Sequence, residues 1–468
     1  MKFFPFLSWL PFSKTNLRAD LIAGITVALV LIPQSMAYAQ LAGLPAYFGL
    51  YAAFLPVIVR ALWGSSNQLN TGPVAMSSLL TASILAPFAV AGSERFIELA
   101  IVLALLAGIL RFMLGVFRIG VIVNFLSHPV ILGFTNAAAL IIGFSQLHKI
   151  LGVQRVRNGH FLTEIYSVFQ QIGETHLPTL LMGIFALATI LLLRKFRPRL
   201  PGVLIAVPIA IVISWLTGFG QNKVIPADQL ADVETRQQVD AFLNEKEQIF
   251  AQKTEMTQKY SYLNGLDLQS VEDKNLLKAI YERRNIELEI EKAVKRNRQR
   301  EYDILSKKVL LSNTDEIGLA HAPSHQTWKI AEIRDDRTVL LSRGGEVVGA
   351  IPSGLPRISA PSINFENLLQ LLPGAFILVL LGFMEAFSVA KIIAAKTRQR
   401  FDVNQELIGQ GLANIFGSFF SSYPVSGSFS RSALNLSMGA VTGLSSVFTG
   451  FVVMILLLFF TGFLYYLP

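Results

Sequence analysis

The chain has 468 residues, a net charge of +9 and a hydrophobic share of 52%. With a mean hydropathy of +0.51, this composition is typical of an integral membrane protein and excludes an ordinary soluble one. The chain contains no cysteine, which excludes disulfide scaffolds, thiolate zinc sites and cysteine nucleophiles, and its six histidines show no metal-ligand spacing.

Apolar segments suited to crossing a membrane recur along the chain. We predict eleven passes, some of them short, at 21–41, 45–63, 73–88, 96–116, 121–144, 177–193, 200–215, 371–393, 407–420, 428–438 and 441–464. Three clusters of Lys and Arg fall on one side if the N-terminus is cytoplasmic. The N-terminal run has no small-residue cleavage site, so we expect no removable signal peptide. We predict a multi-pass protein of a cell membrane, most simply a bacterial inner membrane.

Polar residues interrupt the first predicted pass after Pro33, which loosens the helix and frees a backbone carbonyl. Gln34 either faces a cavity, where its amide donates to an anion, or satisfies that carbonyl. Both alternatives stay open at this point. Tyr38, one turn further along, is a weaker candidate for the same site.

A second irregular stretch, Asn70-Thr71-Gly72-Pro73, precedes a helical run that is too short to cross a bilayer with ease. Gly72 and Pro73 are helix breakers, and small and hydroxyl residues follow them. We therefore predict an extended segment that leads into a half-helix.

The polar stretch at 219–360 differs in composition from its surroundings. We predict two or more amphipathic helices within 233–310, arranged as a hairpin if Asn264-Gly265 breaks them. Short strands are predicted at T-W-K-I-A-E-I, T-V-L-L-S and E-V-V-G-A-I, with a turn at Arg343-Gly344-Gly345. The basic run from Lys295 fits nucleic acid or anionic lipid, but a solvated helix face is the favoured reading, so we expect no nucleic-acid partner. By the predicted topology this insert is external.

Glu385 lies deep within an apolar pass, and no other carboxylate is predicted at such depth. Its place is ~20 Å along the helix, near the middle of a ~30 Å hydrocarbon core. Two readings stay open: a structural partner for a buried cation, or a group that binds a proton or sodium ion. The two are compatible if the ion and an anion share one cavity. We expect no cofactor other than such a coupling ion.

The stretch at 423–435, Y-P-V-S-G-S-F-S-R-S-A-L-N, repeats the breaker-then-helix pattern. Pro424 and Gly427 favour extended backbone, and a helix can start at Ser428 or Ser430 as N-cap. Free N–H groups at that start, together with the charge of Arg431, favour an anion. A surface loop with a routine cap is the alternative, and Arg431 between two apolar segments argues against it.

Two half-helices that enter from opposite faces are typical of inverted-repeat transporters, in which broken helices form the substrate site. The sequence therefore predicts an anion site between them. The candidate anion-site residues are Ser428, Phe429 as an apolar wall, Ser430, Arg431, Gln34 and Tyr38.

The motifs L-I-P-Q-S-M-A-Y-A-Q-L-A-G-L-P from Leu31, T-G-P-V-A from Thr71, and A-N-I-F-G-S-F-F-S-S-Y-P-V-S-G-S-F-S-R-S-A-L-N from Ala413 resemble the SulP sulfate permease family. The resemblance implies fourteen membrane segments in two inverted repeats of seven, which form a core domain and a gate domain. It implies that Ser430, Arg431 and the backbone of Val74 and Ala75 contact the anion, and that Glu385 serves the coupling cation. We thus expect an all-α polytopic core/gate transporter fold with a charged helical and short β insert. The expected division is a first repeat at 1–218, the insert at 219–360 and the start of the second repeat at 361–468.

Family members normally continue through fourteen helices into a cytoplasmic STAS domain, whereas this chain ends at Pro468 after about eleven. The resemblance therefore implies either a fragment or a separate chain that supplies the remaining gate helices and the STAS domain. Dimerisation is usual in the family, and a homodimer stays an open alternative here.

The leading functional hypothesis is secondary active transport of inorganic anions, sulfate or bicarbonate first, by sodium or proton symport or by exchange. A nucleobase or uncharged-solute carrier of the same fold would place a carboxylate where Arg431 stands. A passive anion channel is disfavoured by Glu385. From another class, a membrane scaffold could bind a partner through the external insert. We do not expect an enzyme, because no nucleophile–base pair, metal cluster or phosphate loop occurs in the sequence.

Overall fold

The computed structural model of the chain describes residues 5–9, 13–89, 91–120, 128–153, 161–196, 202–230, 232–260, 274–305, 308–310, 327–334, 336–345, 347–349, 351–362 and 365–468. The chain divides into two compact units. Unit 1 comprises Met1–Leu147, Met182–Val212 and Val348–Leu467, and unit 2 comprises His148–Leu181, Ile213–Val347 and Pro468.

A helix lies within each of the eleven predicted passes, as far as the structure describes them. The helices are α1 Lys14–Leu41, α2 Tyr47–Trp63, α3 Ala75–Leu85, α4 Glu94–Val116, α5 His128–Leu151, α6 Phe161–Gln170, α7 Leu177–Phe196, α8 Val203–Thr217, α9 Val233–Lys259, α10 Lys274–Leu305, α11 Phe365–Thr397, α12 Val403–Ser418, α13 Phe429–Ser437, α14 Leu444–Phe459 and α15 Thr461–Leu464. Three of them, α1, α4 and the Leu368–Thr397 part of α11, are long and apolar enough to cross a membrane by themselves. Shorter apolar helices include α2, α3, α7 and α14.

Two details of the helices differ from the predictions. The last predicted pass, 441–464, is broken at Phe460, whose N–H still bonds to the Leu456 carbonyl at 2.8 Å before α15 begins. Helix α6 was not predicted, because its ten residues are too few to register as a pass.

Small residues allow the helices of unit 1 to pack closely. On α4, a Cβ added at Gly108 would come within 2.7 Å of the Ile415 backbone nitrogen on α12, and within 2.9 Å of the Gly411 carbonyl. Such backbone contact is how helices associate where lipid offers no hydrophobic contrast. The hydrophobic core includes the fully buried side chains of Leu31, Leu50 and Leu103.

A two-stranded antiparallel ladder joins the two predicted extended segments. Strand β1 (Asn70–Gly72) pairs with β6 (Ser426–Ser428), with Asn70 opposite Ser428 and Gly72 opposite Ser426. All six residues are buried, as extended backbone at membrane depth must be. The half-helices α3 and α13 begin directly beyond the two strands, as predicted.

Unit 2 contains a four-stranded antiparallel sheet and the helices α9 and α10. The strands β2 (Gly220–Pro226), β3 (Lys308–Leu310), β4 (Thr327–Ile333) and β5 (Thr338–Gly344) are ordered β2-β5-β4-β3. Helices α9 and α10 pack against each other, as predicted, while Asn264-Gly265 lies outside the described residues. Before β5, the hydroxyl and backbone N–H of Thr338 donate to Asp336 and lower the pKa of its carboxyl group.

Three predictions about the strands were wrong or incomplete. Residues 347–349 of the third predicted strand are not a strand, because Val348 and Gly349 donate their N–H groups to the carbonyls of Leu467 and Tyr465. The predicted turn at 343–345 falls partly inside β5, which runs to Gly344. Strands β2 and β3 were missed: β2 is polar over much of its length, and β3 has only three residues.

Candidate functional site

The two half-helices begin differently although both follow a strand of the ladder. At α13, Ser428 is the N-cap, and its Oγ accepts a hydrogen bond from the Arg431 backbone N–H at 3.4 Å. At α3 the N-cap is Val74, whose apolar side chain cannot accept a hydrogen bond. The first N–H groups of α3, from Ala75 onward, therefore remain without a side-chain cap and carry the positive end of the helix dipole.

Arg431 is fully buried and reaches from α13 to the other half of unit 1. Its Nε donates to Asn70 Oδ1 at 2.9 Å, and its Nη1 donates to Gln34 Oε1 at 3.2 Å. Within the described part of the chain, its Nη2 has no hydrogen-bond partner. That nitrogen lies 3.2 Å from the place of a Cβ at Gly72, which has a φ of +154°. Glycine is thus required at 72 both by conformation and by the approach of the guanidinium.

The other candidate residues of the anion site surround this guanidinium or flank it. Gln34 contacts Arg431 through its side-chain oxygen, which accepts a hydrogen bond from Arg431 Nη1. Tyr38 is half-buried one turn further along α1. Ser430 is exposed, with its hydroxyl 3.4 Å from that of Ser428. Phe429 is 57% exposed.

Glu385 lies on the face of α11 that contacts strand β6. One turn before it, the Gly382 carbonyl accepts a hydrogen bond from Ser426 Oγ at 2.6 Å. Next to it, the Cβ of Ala386 is 2.8 Å from the place of a Cβ at Gly427, so glycine allows this close packing. Among the residues that the structure describes, no ion pair joins Glu385 to Arg431, and Glu385 Oε2 has no hydrogen-bond partner. A direct structural pairing of the two is therefore not observed.

Buried carboxylates also occur outside the predicted passes. Glu406 in α12 is fully buried, as is Asp20 in α1. Asp20 accepts hydrogen bonds from the backbone N–H groups of Val441 and Thr442 at 2.7 and 3.0 Å. Both carboxylates were placed outside the passes because each stands immediately before a predicted apolar run.

Arg60 in α2 was not predicted as a site residue, and it fixes the chain before β1. Its Nε and Nη2 donate to the two carboxylate oxygens of Glu406 at 2.8 and 2.7 Å. Its Nη1 donates to the carbonyls of Ser66 at 2.9 Å and Leu69 at 2.5 Å. This buried, two-pronged ion pair therefore ties α12, α2 and the start of β1 together.

Arg111 in α4 was also not predicted, and it fixes the chain before β6. Its Nη1 donates to the Val425 carbonyl at 2.7 Å. Asn414 holds the same residue, since it donates to that carbonyl at 3.1 Å and accepts from the Val425 N–H at 2.9 Å. Arg111 is fully buried, and no partner for its Nε or Nη2 occurs among the described residues. A charged residue inside a predicted apolar pass was the available signal for both arginines.

The sequence matches the family model named Sulfate permease family over residues 17–248 and 325–468. Sulfate transporter 4.1, chloroplastic, of Arabidopsis thaliana is 32% identical over 467 residues, which are 99% of this chain and 51% of that protein. The sodium-independent sulfate anion transporter of Bos taurus is 29% identical over 100% of this chain and 62% of its own length. The chain thus spans about half to three-fifths of the length of these relatives.

Two solved structures share the fold. The murine Slc26a9 anion transporter in the inward-facing state has a TM-score of 0.67 at 21% identity, covering 99% of this chain and 60% of that chain. The transmembrane domain of the cyanobacterium bicarbonate transporter BicA has a TM-score of 0.64 at 18% identity, covering 98% and 86%. The fold is therefore the inverted-repeat core/gate transporter fold. This chain belongs to the sulfate permease family and is a multi-pass membrane protein.

Proposed function

We propose that this chain forms the anion-binding part of a secondary active transporter of inorganic anions, with sulfate as the first candidate substrate and bicarbonate as the second. One observation carries the proposal: the guanidinium of Arg431 is fully buried, its Nη2 has no hydrogen-bond partner among the described residues, and it lies beside two helix starts that the β1–β6 ladder brings together. A buried cation between two positive helix ends is suited to a desolvated anion. Named relatives that transport sulfate or bicarbonate support this choice of substrates.

In the proposed mechanism the anion is held by three kinds of donor. The uncapped N–H groups at Val74 and Ala75 bind it from the α3 side, and Ser430 and Arg431 bind it from the α13 side. Gln34, whose oxygen already accepts from Arg431, has its amide nitrogen as a further donor. Water is removed from the anion as these donors replace its hydration shell. Alternating access then follows from movement of this core domain against a gate domain.

Glu385 is proposed to bind the coupling ion, sodium or a proton. Its place beside β6 supports this role, as does its Oε2, which has no hydrogen-bond partner in the described part of the chain. A cation bound there offsets the charge of the anion during the transport step. Symport with this ion is proposed, and exchange of two anions is the alternative. A cell-membrane location, most simply a bacterial inner membrane, a cytoplasmic N-terminus and a homodimer are also proposals.

The test of the anion site is a thermal-shift panel on the purified chain with sulfate, bicarbonate, chloride, fumarate and uracil. Ligand at 100 times its Kd should stabilise the folded chain by ~2.7 kcal/mol. We expect sulfate to raise the unfolding temperature of the wild type and to have no effect on Arg431→Ala. Arg95→Ala, which removes a half-exposed arginine from an exposed ion pair, is the matched control and should keep the shift. An unchanged sulfate shift in Arg431→Ala would remove Arg431 from the site, and a shift with uracil alone would support an uncharged substrate.

The test of the coupling ion is Glu385→Gln, which keeps the size of the side chain and removes its charge. We expect sulfate to bind this variant, while the dependence of binding on sodium or on pH that the wild type shows is lost. Sulfate titrations with and without sodium, at two pH values, provide the measurement. A variant that keeps the wild-type ion dependence would assign the coupling to another group.

A further inference from the structure

Arg111 carries a full charge and several N–H donors, but a single hydrogen bond to the Val425 carbonyl accounts for its structural role. It is fully buried in α4, and its one protein partner among the described residues is the Val425 carbonyl. Asn414 already makes two hydrogen bonds to Val425, so holding this backbone does not require a guanidinium. An isolated buried charge costs several kcal/mol, and an arginine cannot avoid the cost by releasing its proton. A role for the charge itself is therefore indicated.

The free end of Arg111 lies against Gly382 of α11, in a region that Ser77 of α3 also borders. Its Nη2 lies 2.6 Å from the place of a Cβ at Gly382, where Ser426 Oγ and Ser77 Oγ lie at 3.3 and 3.5 Å. Ser77 belongs to the first turn of α3, and its buried hydroxyl also lacks a partner in the described structure. Any side chain at 382 would displace the guanidinium, so glycine there lets the charge come close to α3.

The two guanidiniums lie beside one rung of the ladder. Arg431 Nη2 lies 3.2 Å from the place of a Cβ at Gly72, and Arg111 Nη2 and Ser426 Oγ lie 2.6 and 3.3 Å from the place of a Cβ at Gly382. Gly72 and Ser426 are opposite each other in the β1–β6 pairing. No ion pair joins either arginine to a carboxylate among the residues described. The anion site thus has two fixed full charges close to it.

We propose that Arg111 is a specificity-determining residue, whose charge makes the site favour divalent over monovalent anions. This inference rests on the proposed function. The two arginines contribute two positive charges, the two helix starts contribute about half a charge each, and Glu385 removes one while no coupling ion is bound to it. The fixed charge near the empty site therefore totals about two. A divalent anion such as sulfate neutralises this charge, whereas a monovalent anion leaves about half of it uncompensated.

A charge effect has a quantitative signature that a packing effect lacks. The energy of an anion in the potential of a fixed charge is proportional to the charge of the anion. If removal of the Arg111 charge lowers the affinity for a monovalent anion by some factor, the affinity for a divalent anion must fall by the square of that factor. A distortion of the binding site carries no such relation.

The experiment compares sulfate with perchlorate, which has the same tetrahedral shape and one negative charge, by competition binding to the purified chain. Arg111→Gln keeps a hydrogen-bond donor and removes the charge, and Arg111→Lys keeps the charge and removes the planar fork. We expect Arg111→Gln to lose on the order of tenfold for sulfate and ~threefold for perchlorate. Arg111→Lys should keep the wild-type ratio of the two affinities. Equal losses for both anions in Arg111→Gln would overturn the inference while leaving the proposed function intact.

Two other outcomes are also decisive. If the wild type binds neither anion, both the proposed function and this inference fail. If Arg111→Gln does not fold, Arg111→Lys is measured from pH 7.5 to pH 10.5 beside the wild type, because a lysine loses its charge as the pH rises and an arginine does not. The inference expects sulfate affinity to fall with pH in Arg111→Lys, relative to the wild type, by the square of the fall for perchlorate. Parallel pH profiles for the variant and the wild type would overturn it.

Discussion

Each half-helix follows a short strand, and a buried arginine holds a backbone carbonyl just before each strand. The two arginines differ in whether a carboxylate neutralises their charge. Before β1, the Leu69 carbonyl is held by Arg60, whose charge is matched by both carboxylate oxygens of Glu406. Before β6, the Val425 carbonyl is held by Arg111, which has no carboxylate partner among the described residues. The carbonyl before each strand is therefore held by an arginine, which is neutralised by a carboxylate before β1 and is not neutralised by a described carboxylate before β6.

This difference separates a structural arginine from one that is available to a ligand. A paired charge contributes little field beyond its partner, whereas an unpaired buried charge acts at a distance because the surrounding dielectric is low. The first half-helix, α3, which has no side-chain cap, thus follows a strand that the neutral Arg60–Glu406 pair holds in place. The second half-helix, with its capped α13, is accompanied by the charges of Arg111 and Arg431.

The largest loss of stability should come from Glu406→Ala, which leaves Arg60 without its carboxylate partner. We expect a loss of ~3–5 kcal/mol in the free energy of unfolding, because Arg60 keeps its buried charge and loses its compensation. Chemical unfolding in detergent measures it. The control is Glu98→Ala, which breaks an exposed pair with Arg95 and should cost less than about 1 kcal/mol. Equal losses of unfolding free energy in the two variants would contradict the interpretation of Arg60 and Glu406 as a buried pair that neutralises its own charge.

A smaller loss is expected from Gly427→Ala, which acts on the second strand alone. Its new Cβ would lie 2.8 Å from the Cβ of Ala386 and 3.1 Å from the Ala386 Cα, so strand and helix must separate. We expect a loss of ~1–3 kcal/mol, the usual cost of overpacking. Gly133→Ala is the control, because no described residue lies within 4 Å of a Cβ there, and it should be neutral or stabilising. A neutral Gly427→Ala would show that β6 can move away from α11.

The smallest effect on stability is expected from Arg111→Gln. The lost hydrogen bond to Val425 costs about 1 kcal/mol, and relief of an unpaired buried charge offsets it. We therefore expect no loss of unfolding free energy relative to the wild type, in contrast to Glu406→Ala. Parallel chemical unfolding of both variants is the measurement. A loss as large as that of Glu406→Ala would mean that the Arg111 charge is compensated within the protein.

The fold and the central arginine were predictable because their signals are local. Breakers such as Pro73 and Gly427, followed by short hydroxyl-rich runs, mark the half-helices, and a charge between apolar segments marks Arg431. The family motifs supplied the rest of the topology. The two states of Arg60 and Arg111 could not be predicted, since the partner of Arg60 is 346 residues away in the chain. Whether a buried charge is matched is a property of tertiary contacts.

Local sequence also failed to predict some strands of the insert. Strands β4 and β5 have apolar alternation that identifies them, whereas β2 becomes a strand only through its pairing with β5. The run after Gly345 was predicted as a strand from its valines, but the carbonyls of Leu467 and Tyr465 take its N–H groups. Competition of this kind depends on segments more than a hundred residues apart.

The β1–β6 ladder has a consequence for the order of events during synthesis. Arg431 and Asn70 are 361 residues apart, an interval of about 20–70 s at ordinary rates of translation. Through that time β1 has no partner strand and Arg60 has no Glu406, although the first helices are already made. The nascent first half therefore keeps unsatisfied backbone groups and an unmatched charge until the second half arrives. Closing this ladder is a late, high-contact-order step, and a slow one to nucleate.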